Sequence, residues 1–292
     1  MTLAALVVND GSRCGAGLAS QAAQELEVYG VELGMSADVD GGDVQAKVTE
    51  ALERGFSPVI IGGGDGTQAL AAGVLKNTGV PMGILPLGTG NALARDLQIP
   101  VDLAGACRNI VTGVSSDIDV GEANGRLFVN LCSLGLTAGI DEALDPDVKS
   151  IIGRAAYVSA VAIALRQRTA FELTVRHSGK VELVTTLLAG CGPGNTQGGI
   201  LPLPGPTSHH SGKISFYAVD SVDLVKYAEL LFRLRQGTSD VMVDLVSVQA
   251  DEIILETKPQ QTVVVDGETN CHTPLVVRCL AGALRVIVPE KA

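Results

Sequence analysis

The sequence predicts an α/β protein with two domains: a doubly wound parallel sheet covered by helices, followed by an antiparallel β-sandwich. In the first part of the chain, continuous apolar strands alternate with amphipathic helices, which is typical of a parallel sheet buried on both faces. After about Asp119 several segments alternate polar and apolar residues, and turns separate them. We therefore assign residues 1–119 to the α/β domain and 120–292 to the β-sandwich domain.

The α/β pattern repeats four times along the first domain. Helical spacing is clearest over 43–54, where Val44, Val48 and Ala51 share one face and Gly55 ends the helix. The predicted strands are 3–8, 31–35, 59–61 and 80–86, and the predicted helices are 16–29, 43–54, 68–77 and 92–97.

The second domain is predicted mainly from strands, with two helices over 153–166 and 222–235. Turns such as His177-Ser-Gly-Lys180 separate neighbouring strands. The predicted strands are 126–136, 171–176, 181–188, 213–219, 241–248, 252–256, 262–265, 275–280 and 283–288.

Composition excludes several classes of function. The net charge of −11 argues against a nucleic-acid partner and against adhesion to anionic membranes by bulk charge. The first residues lack the basic region of a secretory signal, and no apolar run reaches the length of a membrane span. Six cysteines without Cys-x-x-Cys spacing indicate reduced thiols, so we expect a cytoplasmic protein.

A glycine-rich loop after the strand at 59–61 is the most informative motif. It comprises Gly62, Gly63, Gly64, Asp65, Gly66 and Thr67. Strand, tight loop and helix together present backbone N–H groups to an anion. No Lys-Ser/Thr follows the glycines, and Thr67 stands where a dinucleotide fingerprint has its third glycine. A carboxylate at Asp65 would repel phosphate unless a cation lies between them, so the loop fits a metal-chelated polyphosphate. The alternative is a turn in which Asp65 caps the next helix.

A second glycine loop follows the next predicted strand. It comprises Gly88, Thr89, Gly90 and Asn91, about one βαβ step after the first loop. Consecutive parallel strands end at the same sheet edge, where open α/β sheets bind ligands. We therefore expect both loops and the segment 9–12 to converge on one crevice.

Two pairs of acids are candidates for chemistry. Asp266 and Glu268 are two residues apart at a strand end, and on an extended chain both would face one side. One of them could accept the proton of an attacking hydroxyl while the other orients that hydroxyl or reaches a metal-bound water. The alternative is a plain turn, because Asp-Gly is a common turn signal. Asp117 and Asp119 form the second pair, whose alternative is solvated charge at a domain boundary. A metal site at Cys271, His272 and Cys279 is disfavoured, because adjacent strand residues face opposite ways.

These motifs, in this order, resemble the catalytic domain of the diacylglycerol kinase family, which includes bacterial lipid kinases and, more distantly, sphingosine and ceramide kinases. The matching segments span nearly the whole chain and are 63–67, 84–91, 118–121, 131–136, 152–157, 265–268 and 283–289. The resemblance implies an N-terminal nucleotide domain related to that of NAD kinases, a C-terminal β-sandwich and an active site in the cleft between them.

The resemblance also implies roles for individual residues. The residues Gly63–Thr67 and Thr89 would hold ATP phosphates, Asn9 would line the same site, and Gly62, Gly88, Gly90 and Asn91 would complete it. Asp65 and Asp119 would organise Mg²⁺ through bound water. Glu268 would be the base for the acceptor hydroxyl, with Asp266 beside it.

Three positions depart from the family pattern. Ala92 stands where many members have an aspartate in the Mg²⁺ network, and Asp38 replaces a threonine. The turn 209–212 reads His-His-Ser-Gly in place of an Asp-Asp-Gly turn that supports a structural cation, so we predict no cation there.

The expected function is therefore phosphorylation of a lipid or lipid-like alcohol with ATP and Mg²⁺. The alternatives are an NAD kinase-like activity and a catalytically weak nucleotide-binding protein. The apolar segment 153–168 carries Arg154, Arg166 and Arg168, so it could meet a membrane peripherally; the alternative is a buried packing helix. We expect no nucleic acid partner and keep a homodimer open.

Overall fold

The computed structural model describes residues 3–9, 17–39, 43–135, 169–194, 196–197, 201–202, 208–223, 226–227 and 245–290. The segment 153–168 and most of the helix predicted over 222–235 lie outside the described residues. No described helix combines the length and the apolar character that crossing a membrane requires.

The first part of the chain forms strands and helices in alternation, as the sequence predicts, and these are followed by a helix and a strand that were not predicted. The strands are β1 (Ala4–Asn9), β2 (Leu33–Val39), β3 (Val59–Gly63), β4 (Met82–Pro86) and β5 (Val114–Ala123). The helices are α1 (Leu18–Val28), α2 (Val44–Glu53), α3 (Asp65–Leu75), α4 (Ala92–Asp96) and α5 (Leu103–Thr112).

The first four strands form a parallel sheet in the order β2-β1-β3-β4. Alternate side chains of β1 enter two different cores: Ala5 and Val7 pack with α2 and α3, whereas Leu6 and Val8 pack with α1 and α5. Every residue of β3 and β4 is buried. The doubly covered parallel sheet is therefore confirmed.

Two differences from the predicted elements affect the site. Helix α3 begins at Asp65, three residues earlier than predicted, so Asp65, Gly66 and Thr67 form its first turn. Helix α5 was not predicted, although Asp102 caps it by accepting a hydrogen bond from the Gly105 N–H at 2.8 Å.

The second part of the chain is built almost entirely from strands. They are β6 (Arg126–Phe128), β7 (Cys132–Gly135), β8 (Phe171–His177), β9 (Lys180–Thr186), β10 (Leu188–Gly192), β11 (Thr196–Gln197), β12 (Leu201–Pro202), β13 (Ile214–Val219), β14 (Leu245–Ala250), β15 (Glu252–Lys258), β16 (Thr262–Val265), β17 (Glu268–His272) and β18 (Leu275–Val288). The segments predicted over 126–136 and 181–188 are each divided in two, because residues 129–131 and Leu187 turn their N–H groups toward side chains.

Two sheets face each other in this part of the chain. One has the order β14-β13-β10-β7-β16-β17, and the other contains β18, β15, β8 and β9. Their facing side chains form one core, in which Phe171 and Leu255 of one sheet join Phe216 and Val263 of the other. The β-sandwich is confirmed.

Strand β18 joins the two halves. The sequence suggested two strands over 275–280 and 283–288, but they form one strand of 14 residues. Residues 275–278 pair with β15, Val286 pairs with Met82 of β4, and β5 pairs along most of β18 with a register shift between Leu280 and Leu284. The C-terminal residues Leu284 and Val286 thus belong to the N-terminal core. The division at 119/120, which falls inside β5, stays a prediction.

Leu284→Ala tests this shared strand. Leu284 is fully buried, so its truncation should lower the free energy of unfolding by about 2–5 kcal/mol. The matched control is Leu183→Ala, because Leu183 is 76% exposed and its loss should change stability by less than about 0.5 kcal/mol. Urea unfolding followed by circular dichroism measures both. Equally small changes in unfolding free energy would show that this part of β18 does not pack in the core.

Candidate active site

The two glycine loops contact each other where β3 and β4 end. Residues Gly62 and Gly63 pair with Leu85 and Pro86, so the strands finish side by side, and the Leu87 N–H donates to the Gly63 carbonyl at 3.1 Å. A Cβ atom on Gly88 would overlap the Gly64 Cα. Because the backbones approach this closely, the two loops form one continuous surface, as expected from the strand order.

Asp65 links the first loop to the second. Its Oδ1 accepts a hydrogen bond from the Leu93 N–H at 3.1 Å, in the first turn of α4, and one from Asn130 Nδ2 at 3.4 Å. A Cβ on Gly90 would lie 3.0 Å from its Oδ2. The carboxylate therefore caps the helix of the other loop, not its own, and its second oxygen points to the exposed loop tip at Thr89 and Gly90.

Asn9 and Thr67 meet in the same region. Asn9 Nδ2 donates to Thr67 Oγ1 at 3.0 Å, which joins the end of β1 to the first turn of α3. Thr67 is buried, and a Cβ on Gly63 would lie 2.6 Å from its side chain. The structure thus brings Asn9 to the glycine loop, while residues 10–12 lie outside the described ranges.

Asn91 holds the second loop in shape. Its amide donates to the carbonyls of Pro86 at 3.1 Å and Gly88 at 2.8 Å, and its Oδ1 accepts from the Gly88 N–H at 2.9 Å. Asn91 adopts a left-handed conformation at φ 50, which asparagine tolerates better than most residues. Its side chain is engaged with the loop backbone, so it would act on a ligand by positioning Thr89 and Gly90.

Asp266 binds the loop between β6 and β7. Its Oδ2 accepts the Val129 N–H at 2.8 Å, and its Oδ1 accepts those of Asn130 at 2.9 Å and Leu131 at 3.0 Å. Asp266 and Gly267 both have positive φ and form the two-residue turn between β16 and β17, so the chain is not extended there. The two acids consequently face different partners.

The pKa of Asp266 is raised to about 6. Burial is the main cause, and the neighbouring Asp65 raises it further, whereas the three N–H donors lower it. Both oxygens accept hydrogen bonds from backbone N–H groups, so protonation of Asp266 would put an O–H donor next to an N–H donor and break one of these bonds.

Glu268 faces outward beside Arg126. Its Oε2 lies 2.5 Å from Arg126 Nη2, and the two side chains are 61% and 41% exposed. The predicted base is therefore accessible, and Arg126 of β6 places a positive charge beside it.

Asp119 is buried, and its two oxygens are used within the second domain. They accept the N–H groups of Gly212 at 2.6 Å and Gly282 at 2.9 Å. Among the described residues no group of three or more His, Cys, Asp or Glu side chains is arranged to hold a metal. Mg²⁺ commonly takes only one or two carboxylates with waters and phosphates, and the outer oxygen of Asp65 fits that pattern better than Asp119.

The turn 209–212 contacts the helix that follows the second glycine loop. His209 Nε2 lies 2.8 Å from Asp96 Oδ2, and both side chains are more than nine-tenths buried. The Asp119 N–H donates to the His209 carbonyl at 2.6 Å. An imidazole–carboxylate pair therefore joins this turn to α4, at the place where no cation was predicted.

Two residues of the site were not singled out from the sequence. Asn130 touches Asp65 with its side chain and Asp266 with its backbone, and Arg126 pairs with Glu268. Neither lies in a local motif with a chemical signature. Their significance comes from contacts with residues that lie 65 to 142 positions away along the chain.

The site thus combines two glycine loops at the end of a parallel sheet with acidic residues carried by a β-sandwich. Residues 4–123 match the family model for the diacylglycerol kinase catalytic domain, and residues 130–288 match that for the YegS C-terminal NAD kinase beta sandwich-like domain. The chain therefore belongs to the proteins that join these two domains, a diacylglycerol kinase catalytic domain followed by a YegS-type C-terminal domain.

Relatives agree with this assignment. A diacylglycerol kinase of Staphylococcus aureus is 27% identical over 268 residues, which cover 91% of this chain and 85% of that protein. An uncharacterized protein of Synechocystis is 28% identical over 273 residues, which cover 87% of this chain and 62% of that protein. The chain therefore spans less than two thirds of the Synechocystis relative.

A crystal structure of a diacylglycerol kinase from Bacillus anthracis has the same fold. It superposes with a TM-score of 0.77 at 21% identity and covers 99% of this chain and 97% of its own. Another structure from that organism gives a TM-score of 0.80 at 23% identity, with the same coverage. Both support the fold described above, an α/β domain followed by a β-sandwich.

Gly88→Ala tests the contact between the loops. The added methyl group would overlap the Gly64 backbone, so we expect a loss of about 1–3 kcal/mol in stability. Gly66→Ala is the control, because a Cβ there meets nothing within 4 Å and alanine favours a helix by about 1 kcal/mol. Thermal unfolding measures the stability of both variants. A stable Gly88→Ala variant would mean that the loops can separate freely.

The pKa of Asp266 predicts a pH dependence of stability. Since the folded-state pKa is raised, this group stabilises the fold fully below its ordinary pKa near 4, and the contribution is lost as the pH rises through about 6. The parent should therefore lose stability relative to Asp266→Asn as the pH rises from about 4 to about 6. Urea unfolding between pH 4 and 7 measures it. A difference that shifts the other way would show that the three N–H donors outweigh burial.

Proposed function

We propose that this protein is a lipid kinase that transfers the γ-phosphoryl group of ATP, with Mg²⁺, to the hydroxyl of a lipid or lipid-like alcohol. The observation that carries the proposal is the contact of Asn130 with both Asp65 and Asp266. This contact joins the first glycine loop to the turn that carries Asp266, so it supports a site in which a nucleotide held by the loops would meet an acceptor held by the sandwich.

The nucleotide side would be built from the two loops. Backbone N–H groups at the start of α3 and around Thr89 would donate hydrogen bonds to phosphate oxygens, and the dipole of α3 would add to this attraction. Asp65 would hold Mg²⁺ through its outer oxygen and through water. Asp119 would contribute less directly, because both of its oxygens accept backbone N–H groups. When bound, Mg²⁺ supplies positive charge that offsets the phosphates.

The acceptor side would be built from the turn between β16 and β17. Glu268 is accessible and would accept the proton of the acceptor hydroxyl, a task for which Asp266 is too strongly engaged with residues 129–131. Asp266 would fix the turn that carries Glu268 and, through Asn130, its place relative to Asp65. Phosphoryl transfer depends mainly on such positioning and on charge neutralisation.

Two alternatives make different predictions about the acceptor. An NAD kinase-like enzyme would phosphorylate a nucleotide, and a weak nucleotide-binding protein would bind ATP without transfer. The retained and accessible Glu268 favours transfer over binding alone. The family match and the name of the Staphylococcus relative favour a lipid acceptor. We further propose a cytoplasmic location with peripheral contact at the membrane, where such an acceptor resides.

Radiolabelled ATP tests the function directly. The purified protein is incubated with a detergent dispersion of short-chain diacylglycerol, with sphingosine or with NAD, each with Mg²⁺ or with a chelator. We expect label in lipid only when Mg²⁺ is present. Label in NAD alone would select the NAD kinase-like alternative, and ATP binding without label in any acceptor would select the binding protein.

Asp65→Asn and Glu268→Gln should separate the two sides of the site. Asp65→Asn should weaken Mg²⁺-dependent ATP binding and transfer together. Glu268→Gln should reduce transfer by about 10²-fold or more and leave ATP binding intact. Glu252→Gln is the control, because Glu252 pairs with Arg278 at 2.6 Å in another exposed ion pair. If Glu268→Gln lost ATP binding and transfer equally, the 265–268 turn would have only a structural role.

A further inference from the structure

We propose that Arg126 is a further catalytic residue, whose guanidinium leaves Glu268 during the reaction and binds the phosphoryl group being transferred. This inference rests on the proposed function. It starts from the ion pair at 2.5 Å between Arg126 Nη2 and Glu268 Oε2, which places a cation beside the candidate base.

The pair is built to exchange partners and not to hold the fold. Both side chains are more than two-fifths exposed, and exposed ion pairs contribute little to stability. The strands concerned are already fixed, since β6 pairs with β5 and β17 pairs with β16. By contrast, Arg285 holds Asp117 through two nitrogens, at 2.7 and 2.9 Å, and also donates to the Gly79 carbonyl.

Arg126 has donors to spare for a second oxyanion. Its hydrogen bond to Glu268 uses one nitrogen, and within the described part of the chain no other hydrogen bond to its guanidinium is found. A guanidinium carries five N–H groups in a planar fork that matches two phosphate oxygens. Arg126 can therefore begin to contact a phosphoryl group before it releases the carboxylate.

The charges around the cleft require such a cation. Asp65 and Asp266 both contact Asn130, and Glu268 begins β17 directly after the turn that holds Asp266. A phosphoryl group that moves from the glycine loops toward Glu268 would leave the donors of the loops and approach these carboxylates. Arg126, which is paired with Glu268, would supply positive charge there.

The chemical step itself would release Arg126. The acceptor oxygen forms a bond to the γ-phosphorus, the bond from that phosphorus to the bridging oxygen breaks, and its electron pair stays on ADP. The acceptor proton passes to Glu268. Once protonated, Glu268 is neutral and no longer competes for the guanidinium, while the new phosphate monoester carries negative charge next to it. The partner exchange is thus coupled to proton transfer.

Three variants test the proposal. Arg126→Gln removes the charge, Arg126→Lys keeps the charge without the fork, and Arg278→Gln removes a comparable exposed arginine, paired with Glu252. We expect Arg126→Gln to lower kcat for a short-chain diacylglycerol by about 10²-fold or more, with the KM for ATP nearly unchanged. Arg126→Lys should recover part of the loss, and Arg278→Gln should behave as the parent.

Binding of the product distinguishes a catalytic role of Arg126 from a purely structural one. Arg126→Gln should bind a short-chain phosphatidic acid at least about tenfold more weakly than the parent, and should bind the uncharged diacylglycerol equally well. Calorimetric titration measures both. Parent-like kcat and phosphatidic acid affinity in Arg126→Gln would overturn the proposal, as would a loss of kcat that is accompanied by equal losses of ATP affinity and thermal stability. A parent protein without transfer to lipid would overturn the proposed function itself, before any variant is compared.

Discussion

The structure depends on one strand that belongs to both halves of the molecule. Strand β18 pairs with β15 in the sandwich and with β4 in the parallel sheet, and the register shift between Leu280 and Leu284 lets it pass from one core to the other. At that shift Gly282 has positive φ and gives its N–H to Asp119. Backbone pairing therefore joins the two halves, so their relative position does not rest on loop contacts alone.

The acids of the cleft differ in how much of their hydrogen-bonding capacity the protein itself uses. Asp119 and Asp266 accept backbone N–H groups on both oxygens, so each fixes the conformation of a turn or a loop. Asp65 uses one oxygen to join α4, and Glu268 pairs with the Arg126 side chain at the protein surface. The outer oxygen of Asp65 can meet a cation, and the exposed carboxylate of Glu268 can meet a proton. This ordering separates residues that build the site from residues that can react in it.

Local sequence predicted the glycine loops, because a close approach of two backbones excludes side chains and leaves glycine as a visible mark. It also predicted the fold class, since burial on one or both faces of a strand sets the hydrophobic pattern. It did not reveal the continuity of β18, because Ala281 and Gly282 look like a turn when only local residues are considered. Nor could it find Asn130 and Arg126, whose partners lie 65 to 142 residues away along the chain. The start of α3 at Asp65 was missed because glycines at 64 and 66 are unfavourable inside helices.

The charge of the site constrains how the proposed reaction can run. Like charges 4 Å apart repel by about 4 kcal/mol in a partly exposed protein site, and a triphosphate would meet the carboxylates of the cleft in a chain of net charge −11. Backbone N–H groups carry only partial charges, so the glycine loops alone could not offset this repulsion. A metal ion at Asp65 and a guanidinium at Glu268 would do so on opposite sides of the path that the phosphoryl group takes. The same carboxylates that repel the substrate thereby become the groups that hold its counter-ions in place.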